Sequence, residues 1–262
     1  MTGLTVIIIT YNEESNILRA LRSVRPVADE IVVVDSMSDD KTATICRDFG
    51  CRVFLQEFLG YGPQKQFAVS RASNDWIMYL DADEVLTEEL QQEIRSLFPA
   101  GAAEEKEEPR FDTTRVAGFQ VQSSLSYMGR ILRYSGVGKE FHLRLFNRTR
   151  GGFSNLPVHE SIEVDGETQS LKGRVIHYSY RSISHHIEKI NTYTSLAANG
   201  NHNRGKTFPK IWVAIKFPAS FFSFYILKKG FLDGYPGFIW SLFAAVYATM
   251  KVAKTIEKES RP

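Results

Sequence analysis

Four short apolar runs set the rhythm of the first hundred residues. LTVIIIT at 4–10, EIVVVD at 30–35, RVFL at 52–55 and WIMYL at 76–80 are rich in β-branched and aromatic side chains and read as strands. Residues 15–24, 40–49 and 64–72, lying between them, carry helical spacing. Runs that are apolar on both faces fit parallel strands covered by helices. The βαβαβαβ order therefore predicts an α/β fold with an open, mostly parallel sheet and right-handed crossovers. Neither G-x-G-x-x-G nor G-x-x-x-x-G-K-[ST] follows the first strand, so a dinucleotide fold and a P-loop both lack support.

The pattern changes after residue 100. Residues 101–115 (GAAEEKEEPRFDTTR) form a charged, Pro-containing break that reads as a solvated loop. Segments 118–124, 142–146, 161–164 and 174–180 alternate as antiparallel strands do, and 182–198 reads as a helix. The end of the chain differs in kind. Residues 211–227 are apolar but broken by Lys216 and Pro218, and 238–250 are uncharged over thirteen residues. A spanning helix needs roughly 20 apolar residues, so both are expected to lie in a membrane interface as amphipathic helices. Flanking Lys210, Lys216, Lys228, Lys229, Lys251 and Lys254, with Trp212, Tyr225, Tyr235, Trp240 and Tyr247, fit that reading. A pair of core helices packed on the rest of the protein or on a second subunit is the alternative.

Charge sharpens the picture. The net charge of +2 hides ten Lys or Arg against three Asp or Glu from Arg204 onward, so +7 there and −5 in residues 1–203. A basic tail this apolar points to an anionic membrane surface, and no nucleic-acid motif accompanies it. Hydrophobic residues at 43% and charged residues at 24% are ordinary for a globular chain. Cys46 and Cys51 match no redox or zinc spacing and are expected as packed, free thiols. Residues 1–10 enter a strand with no basic leader or cleavage site, so the expected location is cytoplasmic.

The chemistry concentrates where the strands end. The run at 76–80 leads straight into Asp81-Ala82-Asp83-Glu84, and α/β sheets bind ligands at the carboxyl ends of their strands. Two carboxylates one residue apart suit a hard cation, Mg²⁺ or Mn²⁺, whose remaining positions go to water and substrate phosphates. Taken alone, the pair is equally an acidic approach to a helix, since Thr87-Glu88-Glu89 reads as an N-cap with acidic first-turn residues. Three further stretches fall at the same predicted edge: Thr10 to Glu14, Asp35 to Thr42, and Gln64-Lys65. An acid after the second strand can accept from a base N–H or a sugar hydroxyl, and Lys65 can offer charge to an anionic nucleotide.

These stretches resemble a known family. TVIIITYNEESNI, EIVVVDSMSDDKT, QKQFAVSRASNDWIMYLDADE and LPVHESI are similar to family 2 glycosyltransferases of GT-A fold, near the bacterial lipopolysaccharide-core β-glucosyltransferases. The resemblance covers residues 1–180 and extends to the tail. It implies a GT-A, Rossmann-like sheet with a smaller antiparallel part and C-terminal amphipathic helices. Residues 1–203 would be the catalytic domain, with 1–100 the nucleotide-sugar half and 116–203 the acceptor half, and 204–262 a membrane-associating helical tail.

The resemblance also implies roles. Thr10, Tyr11, Asn12 and Glu13 match the loop that holds the nucleotide, Asp35 the acid at the nucleobase, and Lys65 a basic residue at the base or diphosphate. Asp83 matches a direct metal ligand and Asp81 the ribose or metal contact of the Asp-x-Asp motif, with Mg²⁺ or Mn²⁺ as cofactor. Glu160 in Pro157-Val158-His159-Glu160 is the match for the catalytic base of an inverting transfer. His159 or His177 is a candidate extra ligand, and Arg144 and Arg148 are candidate clamps for the diphosphate or an anionic acceptor. The implied reaction moves a hexose, glucose from UDP-glucose, to a glycolipid or lipopolysaccharide-core acceptor. The implied place is the cytoplasmic face of the inner membrane, with peripheral attachment. A sugar nucleotidyltransferase lacks its Gly-rich, basic first loop here, and a non-catalytic scaffold has no need of Asp81, Asp83 and Glu160 together.

Overall fold

The first strand sorts its side chains between two cores. In β1 (Leu4–Thr10), Leu4, Val6 and Ile8 join one buried cluster and Ile7 the other, as the two-residue period of a strand requires. The computed structural model describes residues 3–99, 111–138, 140–154 and 161–259. After β1 come α1 (Ile17–Val24), β2 (Glu30–Asp35), α2 (Thr42–Asp48), β3 (Arg52–Leu55), α3 (Tyr61–Arg71) and β4 (Trp76–Asp81). Strands β2 and β4 divide as β1 does, Ile31, Val33, Trp76, Met78 and Leu80 to one side and Val32, Val34, Ile77 and Tyr79 to the other. Helix α1 covers the first side with Ile17, Leu21 and Val24, and α3 covers the second with Ala68 and Val69. Burial on both faces explains why these strands are apolar throughout.

Next follow β5 (Glu84–Leu86), α4 (Glu88–Leu97), β6 (Val116–Tyr127), β7 (Arg130–Ile131), β8 (Phe141–Asn147), β9 (Gly151–Phe153), β10 (Ile162–Val164) and β11 (Glu167–His177). The main sheet runs β3-β2-β1-β4-β8-β6-β11-β5, with β7 on β6, and β9 and β10 form a small second sheet. Pairing is parallel among β3, β2, β1 and β4 and turns antiparallel at β8. The expected parallel half and antiparallel extension are both present. Thr87 caps α4, its side chain accepting from the Leu90 amide, as the acidic approach predicted.

The chain forms two compact units. Unit 1 holds 1–123 and 140–177, and unit 2 holds 124–139 and 178–262. Unit 2 is built around α5 (Ile183–Asn203), α6 (Ile211–Phe222) and α7 (Gly234–Glu259), so α5 belongs with the tail. Small residues let α7 pack closely: a Cβ on Gly237 would stand 2.1 Å from the Gly230 carbonyl oxygen. At the other end of α7, Lys254 Nζ donates to the Asn191 carbonyl at 2.8 Å and to Thr194 Oγ1 at 2.9 Å on α5. The buried Asp233 carboxylate accepts from the amides of Arg133 and Tyr134, both at 3.0 Å.

One expectation of length needs correction. Residues Gly230–Glu259, a 3₁₀ turn over Gly230–Asp233 followed by the 26-residue α7, together span 30 residues, long and apolar enough to cross a membrane by length and composition. The uncharged run at 238–250 understated it because the helix starts before that run, through Pro236 in its first turn, and continues past Lys251 and Lys254.

His186 on α5 sits among aromatic rings, 4.0 Å from Tyr180 and stacked 5.6 Å from Trp240 between ring centres. Tyr127 Oη lies 2.8 Å from its Nδ1. Burial, with Lys189 and His185 nearby, pushes its pKa down to about 4 from an ordinary 6.5. The native ring is therefore neutral where the unfolded chain already binds a proton, so this contribution is complete above pH 6.5 and fades as pH falls toward 4. Thermal unfolding across that interval should show a falling midpoint, and His186→Phe should flatten the fall; an unchanged slope would refute this role.

Candidate active site

Parallel register brings three strand ends together. Thr10 lies opposite Asp35, and Ile9 opposite Asp81, so β2, β1 and β4 end along one edge. The loops beyond β1 and β2 are stitched to each other. Asn12 takes φ +53°, a left-handed conformation that Asn tolerates better than most residues. Its amide donates to Ser38 Oγ at 2.9 Å, and its side-chain oxygen accepts from the Asp39 amide at 3.0 Å. The Glu13 amide donates to Thr42 Oγ1 at 2.8 Å. Tyr11 is exposed at the edge, and Thr10 Oγ1 is buried with no hydrogen-bond partner.

Asp35 is fully buried. It accepts from the Ser38 amide at 2.8 Å and from Ser38 Oγ at 2.6 Å, so in this arrangement it shapes the loop beneath the edge. Ser38 links Asp35 to Asn12 and was not singled out in the sequence, where one serine in a polar turn carries no signal. Ser38→Ala should cost about 1–3 kcal/mol for the unpaired buried acceptor. Urea unfolding checks this; a variant of unaltered stability would show that the Ser38 bridge is idle.

Lys65 on α3 is buried, its Nζ 4.3 Å from the centre of the Tyr79 ring. The Tyr79 hydroxyl donates to Asp81 Oδ1. Burial, and then the negative charge of Asp81, raise the Tyr79 pKa well above its ordinary value, so it stays a donor. Gln64 fixes the start of α3 by donating to Ser36 Oγ and to the Gln56 carbonyl, both at 3.1 Å. Lys65, Tyr79 and Asp81 thus form one contiguous group beside the β1 and β2 ends.

The Asp81-to-Glu84 turn is held from below. Glu84 is completely buried; Oε2 accepts from the Asp81 amide at 3.0 Å and Oε1 pairs with Arg144 at 2.6 Å. Arg144 from β8 also reaches Asp81 Oδ2 at 3.5 Å and lies 5.2 Å from the Tyr79 ring centre. Burial raises the Glu84 pKa and Arg144 opposes it; for Arg144 burial acts downward, but Glu84 and Asp81 outweigh it and keep the guanidinium charged. Arg144 is therefore at the expected edge, with its charge engaged by these two acids. Glu84 was missed as a positioning residue because its partner lies 60 positions away.

Asp83 pairs with His177, Nε2 to Oδ2 at 3.0 Å. Antiparallel β5–β11 pairing sets His177 opposite Glu84, which returns the imidazole to the turn. Burial lowers the His177 pKa, but the hydrogen bond and charge of Asp83, then Glu84 and Asp81, more than reverse this and raise it. Asp81 and Asp83 remain partly exposed. Among the described residues, no three His, Cys, Asp or Glu are gathered closely enough to hold an ion unaided. The two carboxylates are the oxygen donors that could take Mg²⁺ or Mn²⁺ once phosphate oxygens and water complete the shell, with the His177 imidazole beside them.

Arg148 is not brought to this edge. Its guanidinium donates to the Ala72 carbonyl at 2.6 Å and meets Asp75 at 3.6 Å, at the start of β4. The length of the strand, roughly 17 Å for six residues, separates it from Asp81. Its donors are spent on ending α3 and fixing the turn into β4. His159 and Glu160 lie outside the described residues.

Residues 5–101 match the glycosyl transferase family 2 domain. An uncharacterized glycosyltransferase of Rickettsia typhi is 32% identical over 98% of this chain and 88% of its own length. The chain belongs to glycosyltransferase family 2. This transferase is also 29% identical, over 98% of its length and 93% of the relative's, to the lipopolysaccharide core biosynthesis glycosyltransferase LpsC of Rhizobium meliloti. Among solved structures it resembles the mannosyltransferase PcManGT of Pyrobaculum calidifontis, in complex with GDP-Man and Mn²⁺, with a TM-score of 0.51 and 16% identity over 98% of the transferase and 88% of that chain. That likeness establishes the GT-A-like fold.

Proposed function

We propose that the protein is an inverting, metal-dependent hexosyltransferase that carries glucose from UDP-glucose to a glycolipid or lipopolysaccharide-core acceptor at the cytoplasmic face of the inner membrane. The observation that carries this reading is the shared edge of Thr10, Asp35 and Asp81, with Lys65 and Asp83 beside it. Residues 1–100 supply the nucleotide-sugar half and the antiparallel part the acceptor half. The loop of Thr10 to Glu13 receives the nucleotide, and the unpartnered Thr10 hydroxyl gives a ligand a group to satisfy. Lys65, which resides against Tyr79 and Phe153, contributes positive charge toward the diphosphate. Asp83 and Asp81, with His177, would hold Mg²⁺ or Mn²⁺, and the complex of PcManGT with GDP-Man and Mn²⁺ supports that choice. When bound, the ion offsets the charge that grows on the departing nucleoside diphosphate.

Glu160 takes the proton from the acceptor hydroxyl as that oxygen attacks the anomeric carbon from the face opposite the leaving diphosphate. The name of LpsC supports a lipopolysaccharide-core acceptor. Unit 2 supports the membrane reading through the exposed side chains of Ile211, Trp212, Ile215, Phe222, Leu227 and Tyr235. The anchoring of Lys254 on α5 favours α7 lying packed on its own unit over crossing the bilayer. Transfer of labelled glucose from UDP-glucose to a core-lipid acceptor tests the function. Glu160→Gln should lower turnover by about 10² to 10⁴ while leaving nucleotide-sugar affinity unchanged. Near-normal transfer by that variant would remove Glu160 as the base.

A further inference from the structure

Unit 2 contains a cavity of about 590 Å³ between α5, α6 and α7. This lies within the range of roughly 300–1,000 Å³ usual for small-molecule sites. Phe224, Trp240 and Phe243 supply much of its wall, and Lys189, Lys216 and Lys251 also line it. No aspartate or glutamate does. All three lysines are half-buried, and among the described residues none of them forms an ion pair. Lys189 donates to the Ser179 carbonyl at 2.9 Å and lies 5.3 Å from the Tyr180 ring centre, and Lys251 lies 5.9 Å from the Tyr247 ring centre, so among the described residues both are held by dipoles and rings and not by a carboxylate.

Half-buried cations beside an apolar slot ask for a ligand that is anionic at one end and hydrocarbon at the other. Among side-chain acceptors the wall offers only Ser and Tyr hydroxyls and the His186 ring, with no carboxylate or amide. The helix that contributes Lys216 also exposes Ile211, Ile215 and Phe222 to the surroundings, as a face turned to a lipid surface would.

We propose that this slot takes one hydrocarbon chain of an anionic membrane lipid, with the lipid's phosphate set against Lys189, Lys216 and Lys251. The inference deepens the membrane reading above, because a chain drawn from the bilayer would fix unit 2 to the surface at a defined point. Association then has two parts: diffuse adsorption of the exposed apolar face, and a saturable, single-chain site.

The test uses the full chain and single-chain lipids below their micelle concentration, so no membrane is needed. Calorimetry should show one-to-one binding of myristoyl lysophosphatidylglycerol, at least tenfold weaker binding of the phosphatidylcholine counterpart, and none of glycerol phosphate. The lauroyl form should bind several-fold more weakly than the myristoyl form, the limit being roughly fourfold per methylene withdrawn from water. Ala219→Trp and Ala244→Trp, which fill the slot from α6 and α7, should each weaken binding at least tenfold with circular dichroism and nucleotide binding unchanged. Absence of saturable binding, indifference to both tryptophans, or glycerol phosphate binding as tightly as the lysolipid would overturn the slot. Sedimentation with dioleoylphosphatidylglycerol vesicles separates the two ideas. Lysolipid binding without vesicle association would overturn the membrane reading and leave the slot standing.

Discussion

Asp83→Ala should reduce glucose transfer by on the order of 10² to 10³, the loss expected when one preorganised electrostatic group at the reacting centre is removed. The side chain is partly exposed and its ion pair is with His177, so the fold should survive and thermal stability should change little. Asp83→Asn separates charge from shape: the amide oxygen can still accept from His177 Nε2, but the carboxylate charge is gone. Both variants should therefore be impaired to a similar degree, with more divalent ion needed for half-maximal rate. If Asp83→Asn turned over as fast as the parent, the hydrogen bond to His177 would be the function of Asp83 and its charge would not matter.

Arg144→Met should destabilise unit 1 by about 3–5 kcal/mol, because it leaves the buried Glu84 carboxylate without its cation. The pair is close, 2.6 Å, and Glu84 is fully buried, which is the setting in which removing one partner is costly. Combining Arg144→Met with Glu84→Gln should restore much of that stability, since neither charge is then stranded. Urea unfolding of the two single variants and the double measures this directly. Additive losses would mean that the two residues act independently. The double variant should still transfer poorly, because the hold of Glu84 on the Asp81 amide and of Arg144 on Asp81 Oδ2 sets the position of the acidic turn. Stability and activity would thus separate in one protein.

The parallel half of the fold was legible in the sequence for a physical reason. Strands β1, β2 and β4 are covered on both faces, so Val6 to Ile9, Ile31 to Val34 and Trp76 to Leu80 appear as unbroken apolar runs. Their direction then followed from the intervening helices, and the edge carrying Thr10, Asp35 and Asp81 followed from the direction. Strand β5 was not legible: three residues, Glu84–Leu86, two of them buried, are too short for a period and begin with a charge. The Glu84–Arg144 pair that supports the acidic turn joins distant segments, and neither residue differs locally from a solvated one. Arg148 was drawn to the site by its chemistry alone; only the antiparallel pairing of β8 with β4, which sets Asn147 opposite Trp76, reveals that it sits at the wrong end. Helix α7 extends beyond the uncharged run at 238–250 because Gly234 and Pro236, which resemble a loop in sequence, open the helix.

Calorimetric titration of UDP-glucose into the full chain, with and without Mn²⁺, tests the central claim most directly. One-to-one binding that depends on the ion and is lost in Asp83→Ala is the predicted result. Failure to bind any UDP-, GDP- or dTDP-sugar in the presence of the ion, or binding indifferent to Asp83→Ala, would contradict it.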